Sequence, residues 1–215
     1  MTIYFVRHAS AGQRKLNPKK DEKRPLDSDG VLQCTQMGRI LATLNTSVDA
    51  VVSSPLKRAT QTAALIANEI GYEGKLNIEN ALRPEAKYEA FRDMLRKYAK
   101  AESLILVGHN PNLSEFLGNL IAENGSRAFV ELKKGAVSKV ESEQKKFVLQ
   151  WLLTPRLANA SSQAGVVESS GIEAASRNGS GQSAVAAESS NGRTADKKLP
   201  QAALTTKSRP KMSRK

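Results

Sequence analysis

Large apolar side chains become sparse after Trp151 in this 215-residue chain. Every aromatic residue lies at or before that position, and the remainder is rich in Ser, Ala, Gly, Lys and Arg. A segment with so little to bury cannot offset the entropy that is lost when its backbone becomes ordered. We therefore predict a folded domain over 1–155 and a disordered tail over 156–215.

The chain carries a net charge of +12, and half of it belongs to the predicted tail. A basic excess favours acidic partners or substrates. For the tail we predict non-specific contacts with anions such as nucleic acid, and we expect these contacts to weaken steeply with salt.

The single cysteine and the short apolar runs indicate the cellular compartment of the protein. Cys34 cannot form an intramolecular disulfide, which is typical of a reducing compartment. No run reaches the roughly 18 apolar residues of a membrane span, and the leading "TIYFV" is too short for a signal peptide. We expect a cytoplasmic protein without membrane contact, with Cys34 as a small apolar filler on a helix.

Short apolar runs alternate with amphipathic segments along 1–155. The predicted strands are "TIYFV", "DAVVSS", "LNIENAL", "SLILVGH", "RAFVELKKGAVSKVES" and "KFVLQWLLT". The first long helix is predicted from Gly30 to Leu44, and "EAKYEAFRDMLRKYAKA" is a second, amphipathic one. This alternation predicts an α/β fold: a three-layer sandwich with a mostly parallel central sheet covered by helices on both faces.

Two further helices carry start and stop signals. Ser54 and Asn110 are each followed by proline, a pair typical of an N-cap and the first helical residue. Gly71 and Gly125 are the predicted helix ends.

The segment between the first strand and the first long helix, "SAGQRKLNPKKDEKRPLDSDG", is rich in charge and proline. We predict an exposed loop here. Asp27 and Asp29 stand directly before the predicted helix, where we expect them to act as caps.

The two histidines of the chain each follow an apolar strand run directly. His8 ends "IYFVRH" and His109 ends "LILVGH". Ligands of open α/β sheets collect at the carboxyl ends of strands. Arg7 precedes the first histidine, and Arg58 lies in the first turns of the helix after the second strand. We expect these four residues to meet beside two helix N-termini, an arrangement that favours phosphate binding.

Three blocks of the sequence resemble the histidine phosphatase superfamily: "VRHA", with Ala9 where glycine is usual, then "SSPLKRATQTA" and "LVGHNPNLSEF". The chain is most similar to the short SixA-type phosphohistidine phosphatases. "RPLDSDG" precedes the first helix, "LKKGAVSKVE" occupies the fifth strand, and long insertions are absent. The resemblance covers roughly 1–155.

This resemblance implies a covalent mechanism. His8 would attack phosphorus, and water would hydrolyse the resulting phosphohistidine. Arg7 and Arg58 would lower the pKa of His8 and, with His109, bind the phosphoryl oxygens. No cofactor is required, and the sequence has no cluster of carboxylates or histidines that would hold a metal.

Many relatives that cleave phosphate esters carry a carboxylic acid after the third strand, which protonates the leaving group. Glu85 is the nearest candidate for a proton donor, and Glu79 lies further away. An early-helix glutamate favoured by the helix dipole is the simpler interpretation of Glu85. Without an acid, the substrate needs a good leaving group. The imidazole released from phosphohistidine, with a pKa of about 6.5, meets that requirement.

The sequence thus predicts a metal-independent phosphatase acting on phosphohistidine in a phosphotransfer domain of a signalling protein. Two alternatives stay open. One is a phosphomonoesterase acting on a small phosphorylated metabolite, and the other is a non-catalytic phosphate-binding module tethered to acidic partners by the basic tail.

Overall fold

The computed structural model describes residues 1–122, 128–144 and 146–160. Most of the predicted tail, and the predicted helix end at Gly125, lie outside these residues. No helix in the described ranges is long and apolar enough to cross a membrane.

The described chain contains six strands and five helices with defined bounds, and a further helical stretch at 155–160. The strands are β1 (Thr2–Arg7), β2 (Ala50–Ser53), β3 (Asn77–Ile78), β4 (Ser103–Gly108), β5 (Val137–Glu143) and β6 (Lys146–Leu153). The helices are α1 (Pro18–Glu22), α2 (Ser28–Thr43), α3 (Lys57–Glu69), α4 (Tyr88–Lys97) and α5 (Asn112–Ile121), with a 3-10 turn at Asn80–Leu82.

The strands form one sheet in the order β3-β2-β4-β1-β5-β6. The first four strands of that order run parallel, whereas β5 and β6 are antiparallel to their neighbours. The predicted α/β fold with a mostly parallel sheet is therefore confirmed. β1 and β4 lie in the middle, where both of their faces are covered, and this explains their unbroken apolar sequences.

Alternate residues of the central strands feed two apolar clusters on opposite faces of the sheet. One cluster joins the sheet to α2 and α3: Tyr4, Val6, Met37, Leu41, Val51, Ala63, Ile66, Ile105 and Val107. The other joins it to α4 and α5: Ile3, Phe5, Val52, Phe91, Met94, Leu104, Leu106, Phe116 and Leu117. This arrangement gives the predicted three layers.

Several element boundaries agree with the sequence signals. Asp27 is the N-cap of α2 and accepts a hydrogen bond from the Gly30 amide at 2.8 Å. Gly71 follows the end of α3 with a left-handed φ of 70°. Asp29 lies inside the first turn of α2 rather than at the cap. The predicted third strand is shorter than expected, because only Asn77–Ile78 pairs with the sheet.

The observed start of α3 lies two residues after the predicted one, and that of α5 lies one residue after it. α3 begins at Lys57 and α5 at Asn112, and neither helix has a side-chain cap. The polar groups expected to cap them have other partners. The Ser54 hydroxyl lies against His109, and the Asn110 amide donates to the Leu132 carbonyl at 2.9 Å.

The prediction of a wholly exposed loop after β1 is also wrong. This segment contains the short helix α1, and Asp21 within it is buried. The reason is electrostatic: Asp21 turns inward to contact the guanidinium groups of Arg24 and Arg58.

The described fold continues past the predicted domain boundary at 155. Residues 155–160 are helical, and Ala158 is buried in the cluster shared with α2 and α3. Small side chains can therefore extend the packed domain where aromatic residues are lacking.

Cys34 lies buried on α2 within the same apolar cluster. Burial raises the pKa of its thiol to about 11. The thiol is thus protonated at neutral pH, in agreement with the predicted role as an apolar filler.

The close approach of α2 to the segment after β1 depends on Gly30. A Cβ atom at this position would lie 2.0 Å from the Ser10 carbonyl oxygen, a backbone atom that cannot rotate away. We expect Gly30→Ala to lower the free energy of unfolding by about 1–3 kcal/mol through overpacking. Thermal denaturation measures this effect. Val31→Ala, at the exposed neighbouring position, should stay within about 0.5 kcal/mol of wild type, and a Gly30→Ala variant as stable as this control would contradict the explanation.

Candidate active site

The parallel register of β1 and β4 brings the two histidines together. Arg7 is paired with Gly108, and the His8 amide donates to the Gly108 carbonyl at 3.0 Å. His8 and His109 each follow this pair directly, so their rings leave the sheet side by side. The two ring centroids are 4.9 Å apart.

The His8 ring is held in one tautomer. Its Nδ1 lies 2.8 Å from the Ala9 carbonyl oxygen, which can only accept, so Nδ1 carries the proton. The lone pair of Nε2 is left facing Arg58, whose Nε donates to it at 3.3 Å. Burial, followed by the charges of Arg58 and Arg7, lowers the pKa of His8 to about 4. The ring is therefore neutral at pH 7.

Ala9 fits the backbone here without strain. It is fully buried, its φ is not left-handed, and its amide donates to the Thr62 hydroxyl at 3.1 Å. An alanine in place of the usual glycine is thus compatible with the geometry around His8.

Arg58 enters the site from the first turn of α3 and is 5% exposed. Its Nη1 donates to the Asp21 backbone carbonyl at 3.0 Å and to the carboxylate at 3.3 Å. Arg24 binds the same carboxylate through Nε at 2.8 Å. These contacts hold the pKa of Asp21 at about 2, with the Arg24 hydrogen bond as the main cause. Asp21 is therefore ionised at neutral pH, and its carboxylate holds the Arg58 side chain in place.

Arg7 reaches the site from the last residue of β1. Its Nη1 donates to the Leu132 carbonyl at 2.8 Å, and its Nε is buried without a hydrogen-bond partner among the described residues. Burial lowers the pKa of this guanidinium, a sign of incomplete charge compensation. A bound anion would supply the partner that the Nε group lacks.

His109 has a hydroxyl neighbour at one ring nitrogen only. Its Nε2 lies 2.9 Å from the Ser54 Oγ, and this hydroxyl already accepts a hydrogen bond from the Leu56 amide at 3.4 Å. The hydroxyl keeps one acceptor lone pair beside this bond, so it can donate to Nε2 or accept from it; where it donates, the ring proton lies on Nδ1. His109 Nδ1 is buried and unpartnered among the described residues. Burial and then the proximity of His8 lower the pKa of His109 to about 2.

Glu85, the predicted candidate for a proton donor, lies in an exposed ion pair. Arg83 Nε binds its carboxylate at 2.7 Å, and this contact lowers the pKa of Glu85. Arg83 also pairs with Glu22 of α1. Glu79, the more distant candidate, pairs with Lys97 at 3.1 Å. Both glutamates are therefore engaged as anions.

The site is a cluster of buried or partly buried side chains with excess positive charge. Arg7 and Arg58 are its inner cations, and the charges of Arg24 and Arg83 reach His109. Within 1–122, 128–144 and 146–160, no group of three His, Cys, Asp or Glu side chains is arranged to hold a metal ion. Such a pocket is suited to binding a compact anion with several oxygen atoms.

The structure brings together the four residues singled out from the sequence, His8, Arg7, Arg58 and His109. Sequence reasoning missed Asp21, Arg24, Ser54 and Thr62. Asp21 and Arg24 stand three residues apart in "DEKR", an ion-pair spacing that a run of charges obscures. Ser54 was interpreted as a helix cap, because nothing in the sequence distinguishes a hydroxyl that caps from one that binds a histidine.

Comparison with known proteins identifies the family of this chain. The sequence profile of the histidine phosphatase superfamily (branch 1) matches residues 3–101. An uncharacterised protein of Picosynechococcus sp. is 31% identical over 140 residues, which are 64% of this chain and 82% of the relative. The chain belongs to the histidine phosphatase superfamily, branch 1.

Solved structures share the fold at lower identity. The protein histidine phosphatase SixA complexed with tungstate has a TM-score of 0.63 and 18% identity, covering 72% of this chain and 97% of that one. The alpha-ribazole phosphatase of Shigella flexneri has a TM-score of 0.57 and 18% identity, with the same coverage of both chains.

Two neutral buried histidines make stability depend on pH. The pKa of His8 and that of His109 lie below the unfolded value of 6.5. Between about pH 6.5 and 4 the unfolded chain therefore binds more protons, and stability falls as the pH falls. Each histidine contributes a slope of up to about 1.4 kcal/mol per pH unit. We expect His8→Asn to flatten the fall in Tm between pH 7 and 5. An unchanged slope would mean that His8 is not buried in its neutral form.

Removing the Ser54 hydroxyl should leave His109 Nε2 without its hydrogen-bond partner, so that neither the tautomer nor the orientation of the ring is fixed. We expect Ser54→Ala to weaken the affinity for inorganic phosphate by roughly tenfold, about 1.4 kcal/mol, measured by titration calorimetry. Ser53→Ala is the matched control, because this equally buried hydroxyl donates to the Ser54 backbone carbonyl and not to a ring. Equal losses in the two variants would contradict a specific role for Ser54.

Proposed function

We propose that this protein is a phosphatase that removes phosphate from a phosphorylated histidine through a covalent intermediate on His8. One observation carries the proposal: His8 is a neutral imidazole whose Nδ1 proton is bound to the Ala9 carbonyl, which leaves the Nε2 lone pair inside a cationic pocket. A nucleophile needs that lone pair, and a site for phosphate needs those cations.

In the proposed first step, His8 Nε2 attacks phosphorus and forms a P–N bond. The bond between phosphorus and the leaving group breaks, and its electron pair departs with that group. Water then attacks the phosphorylated His8, the new P–N bond breaks, and phosphate and the neutral ring are regenerated.

Three donors would stabilise the charge on the transferred phosphoryl group. Arg7 Nε and His109 Nδ1 are two of the buried polar atoms that have no partner among the described residues, and Arg58 Nε donates to His8 Nε2, the attacking nitrogen. Donors that are fixed before the reaction stabilise the transition state without reorganisation. Asp21 and Ser54 act indirectly, by positioning Arg58 and His109.

The state of Glu85 supports a substrate with a good leaving group. Its carboxylate is ionised and bound by Arg83, so it does not hold a proton to donate. An imidazole leaves more readily than an alkoxide, because its conjugate acid has a pKa near neutrality. Phosphohistidine in a phosphotransfer domain of a signalling protein is therefore the substrate that we favour.

A phosphomonoesterase acting on a small metabolite is the second candidate. The fold similarity to the alpha-ribazole phosphatase of Shigella flexneri supports it. A non-catalytic phosphate-binding module is less well supported, since binding alone does not require a neutral His8. The proposed phosphatase acts without a metal in the cytoplasm, and its tail makes non-specific contacts with anions.

The intermediate provides the direct test. Rapid acid-free quenching of wild type with labelled phosphoramidate should trap one phosphate on His8, stable to base and labile to acid. His8→Ala should give no adduct and no turnover. Label on Ser53, Ser54 or Cys34 would contradict the mechanism, as would activity that is lost in EDTA and restored by a divalent ion.

The choice of substrate is tested by the leaving group. Without a proton donor, phosphoramidate and nitrophenyl phosphate should react quickly and sugar phosphates hardly at all. Glu85→Gln should then change kcat/KM less than tenfold on every substrate, which is below about 1.4 kcal/mol in the barrier. A loss of a hundredfold or more on sugar phosphates alone would establish Glu85 as the acid and favour the phosphomonoesterase.

A further inference from the structure

The segment over 12–23, here called the cationic loop, has two faces of opposite character. Its inward face carries the buried Asp21 carboxylate, which binds Arg58, and Glu22, which pairs with Arg83. The loop is thereby fastened to two cations, one beside His8 and one whose charge reaches His109. The cationic loop therefore forms part of the rim of the phosphate pocket.

The outward face of the cationic loop is strongly basic. Its exposed cationic side chains are Arg14, Lys15, Lys19, Lys20 and Lys23. None of these side chains is paired with a carboxylate in the described part of the chain. The acidic residues of the loop are already paired with arginines, the buried Asp21 with Arg24 and Arg58 and the exposed Glu22 with Arg83. The same segment contains Asp21, whose carboxylate lies 3.3 Å from Arg58 Nη1, so the basic face belongs to a segment that contacts the site directly.

An apolar side chain stands at the tip of the same face. Leu16 is 104% exposed, as much as in an isolated chain, and no other described large apolar residue is more exposed. A lone exposed leucine needs no explanation on an ordinary surface. Surrounded by lysines at the rim of a phosphate pocket, however, it has the make-up of an interface, with an apolar contact inside a charged border.

We propose that the cationic loop is a docking surface for an acidic protein segment that carries the phosphohistidine. This inference rests on the proposed function. A free phosphate or phosphoramidate fits inside the pocket and does not need the outward lysines. A phosphohistidine in a protein brings its flanking residues to the rim, where acidic side chains would meet these lysines and an apolar one would meet Leu16. Charge complementarity at a rim acts mainly on association, so the preference should be sensitive to salt.

Three synthetic peptides of equal length test this surface. Each carries one histidine, phosphorylated with phosphoramidate, and is flanked by glutamate, serine or lysine. With the full chain we expect the glutamate peptide to have the highest kcat/KM. At low salt its advantage over the lysine peptide should be about tenfold or more, and it should shrink as salt is added.

The decisive variant is the double substitution Lys19→Glu and Lys20→Glu. Acidic residues are favourable in the first turn of α1, so the helix is retained. The matched control is Lys75→Glu with Lys100→Glu, which changes the net charge equally. These exposed lysines precede β3 and β4, so they lie near the amino-terminal ends of these strands, whereas the site lies at the carboxyl ends of β1 and β4. The loop variant should lose the preference for the glutamate peptide, and the control variant should keep it.

Leu16→Ser provides a second variant that leaves the charge unchanged. It should lower kcat/KM severalfold on a glutamate peptide that contains a leucine, relative to phosphoramidate.

Equal turnover of the three peptides by wild type would overturn the docking surface. A preference that survives in the Lys19/Lys20 variant would do the same, since the preference would then arise elsewhere, for instance in the basic tail. If none of the phosphohistidine peptides reacts while nitrophenyl phosphate does, the proposed substrate class itself is wrong, and the docking proposal fails with it.

Discussion

The structure depends on the parallel pairing of β1 with β4. This register sets Arg7 opposite Gly108, so that both histidines leave the sheet at the same level with their ring centroids 4.9 Å apart. A shift of one residue would turn one ring to the other face of the sheet. The apolar side chains that pack these two strands on both faces also set the positions of His8 and His109. A substitution that alters this packing is therefore expected to alter the site as well.

The second constraint is the cost of gathering cations without a bound anion. Buried guanidinium groups need partners, and the fold supplies them from the outer side of the pocket: a backbone carbonyl for Arg7 and Asp21 for Arg58. The inner donors stay available. The same excess of positive charge, together with burial, keeps His8 and His109 neutral. Burial and the cationic surroundings thus keep the His8 imidazole neutral without a neighbouring base, as its proposed role as nucleophile requires.

Sequence patterns predicted the sheet, the layers and the four convergent residues, because these follow from local hydrophobicity and from where strands end. They failed where a polar side chain chooses among several partners. Ser54 and Asn110 are residue types that often cap helices, yet their side chains contact His109 and the Leu132 carbonyl instead. Asp21 was hidden in a run of charges, since only the folded chain brings it to Arg58. The four residues that meet at the site were therefore predictable from the sequence, whereas the residues that hold them in position were not.

The inward and outward charges of the cationic loop have one origin. The loop uses both of its acidic residues to bind arginines, Asp21 for Arg58 and Glu22 for Arg83. Its lysines are then left without intramolecular partners among the described residues and face outward at the rim. An anchor for the catalytic cations therefore creates a basic outer surface as a by-product. Under the proposed function, a phosphatase without a proton donor selects its substrates by leaving group and by the residues around the phosphate, and the proposed docking surface would serve the second kind of selection.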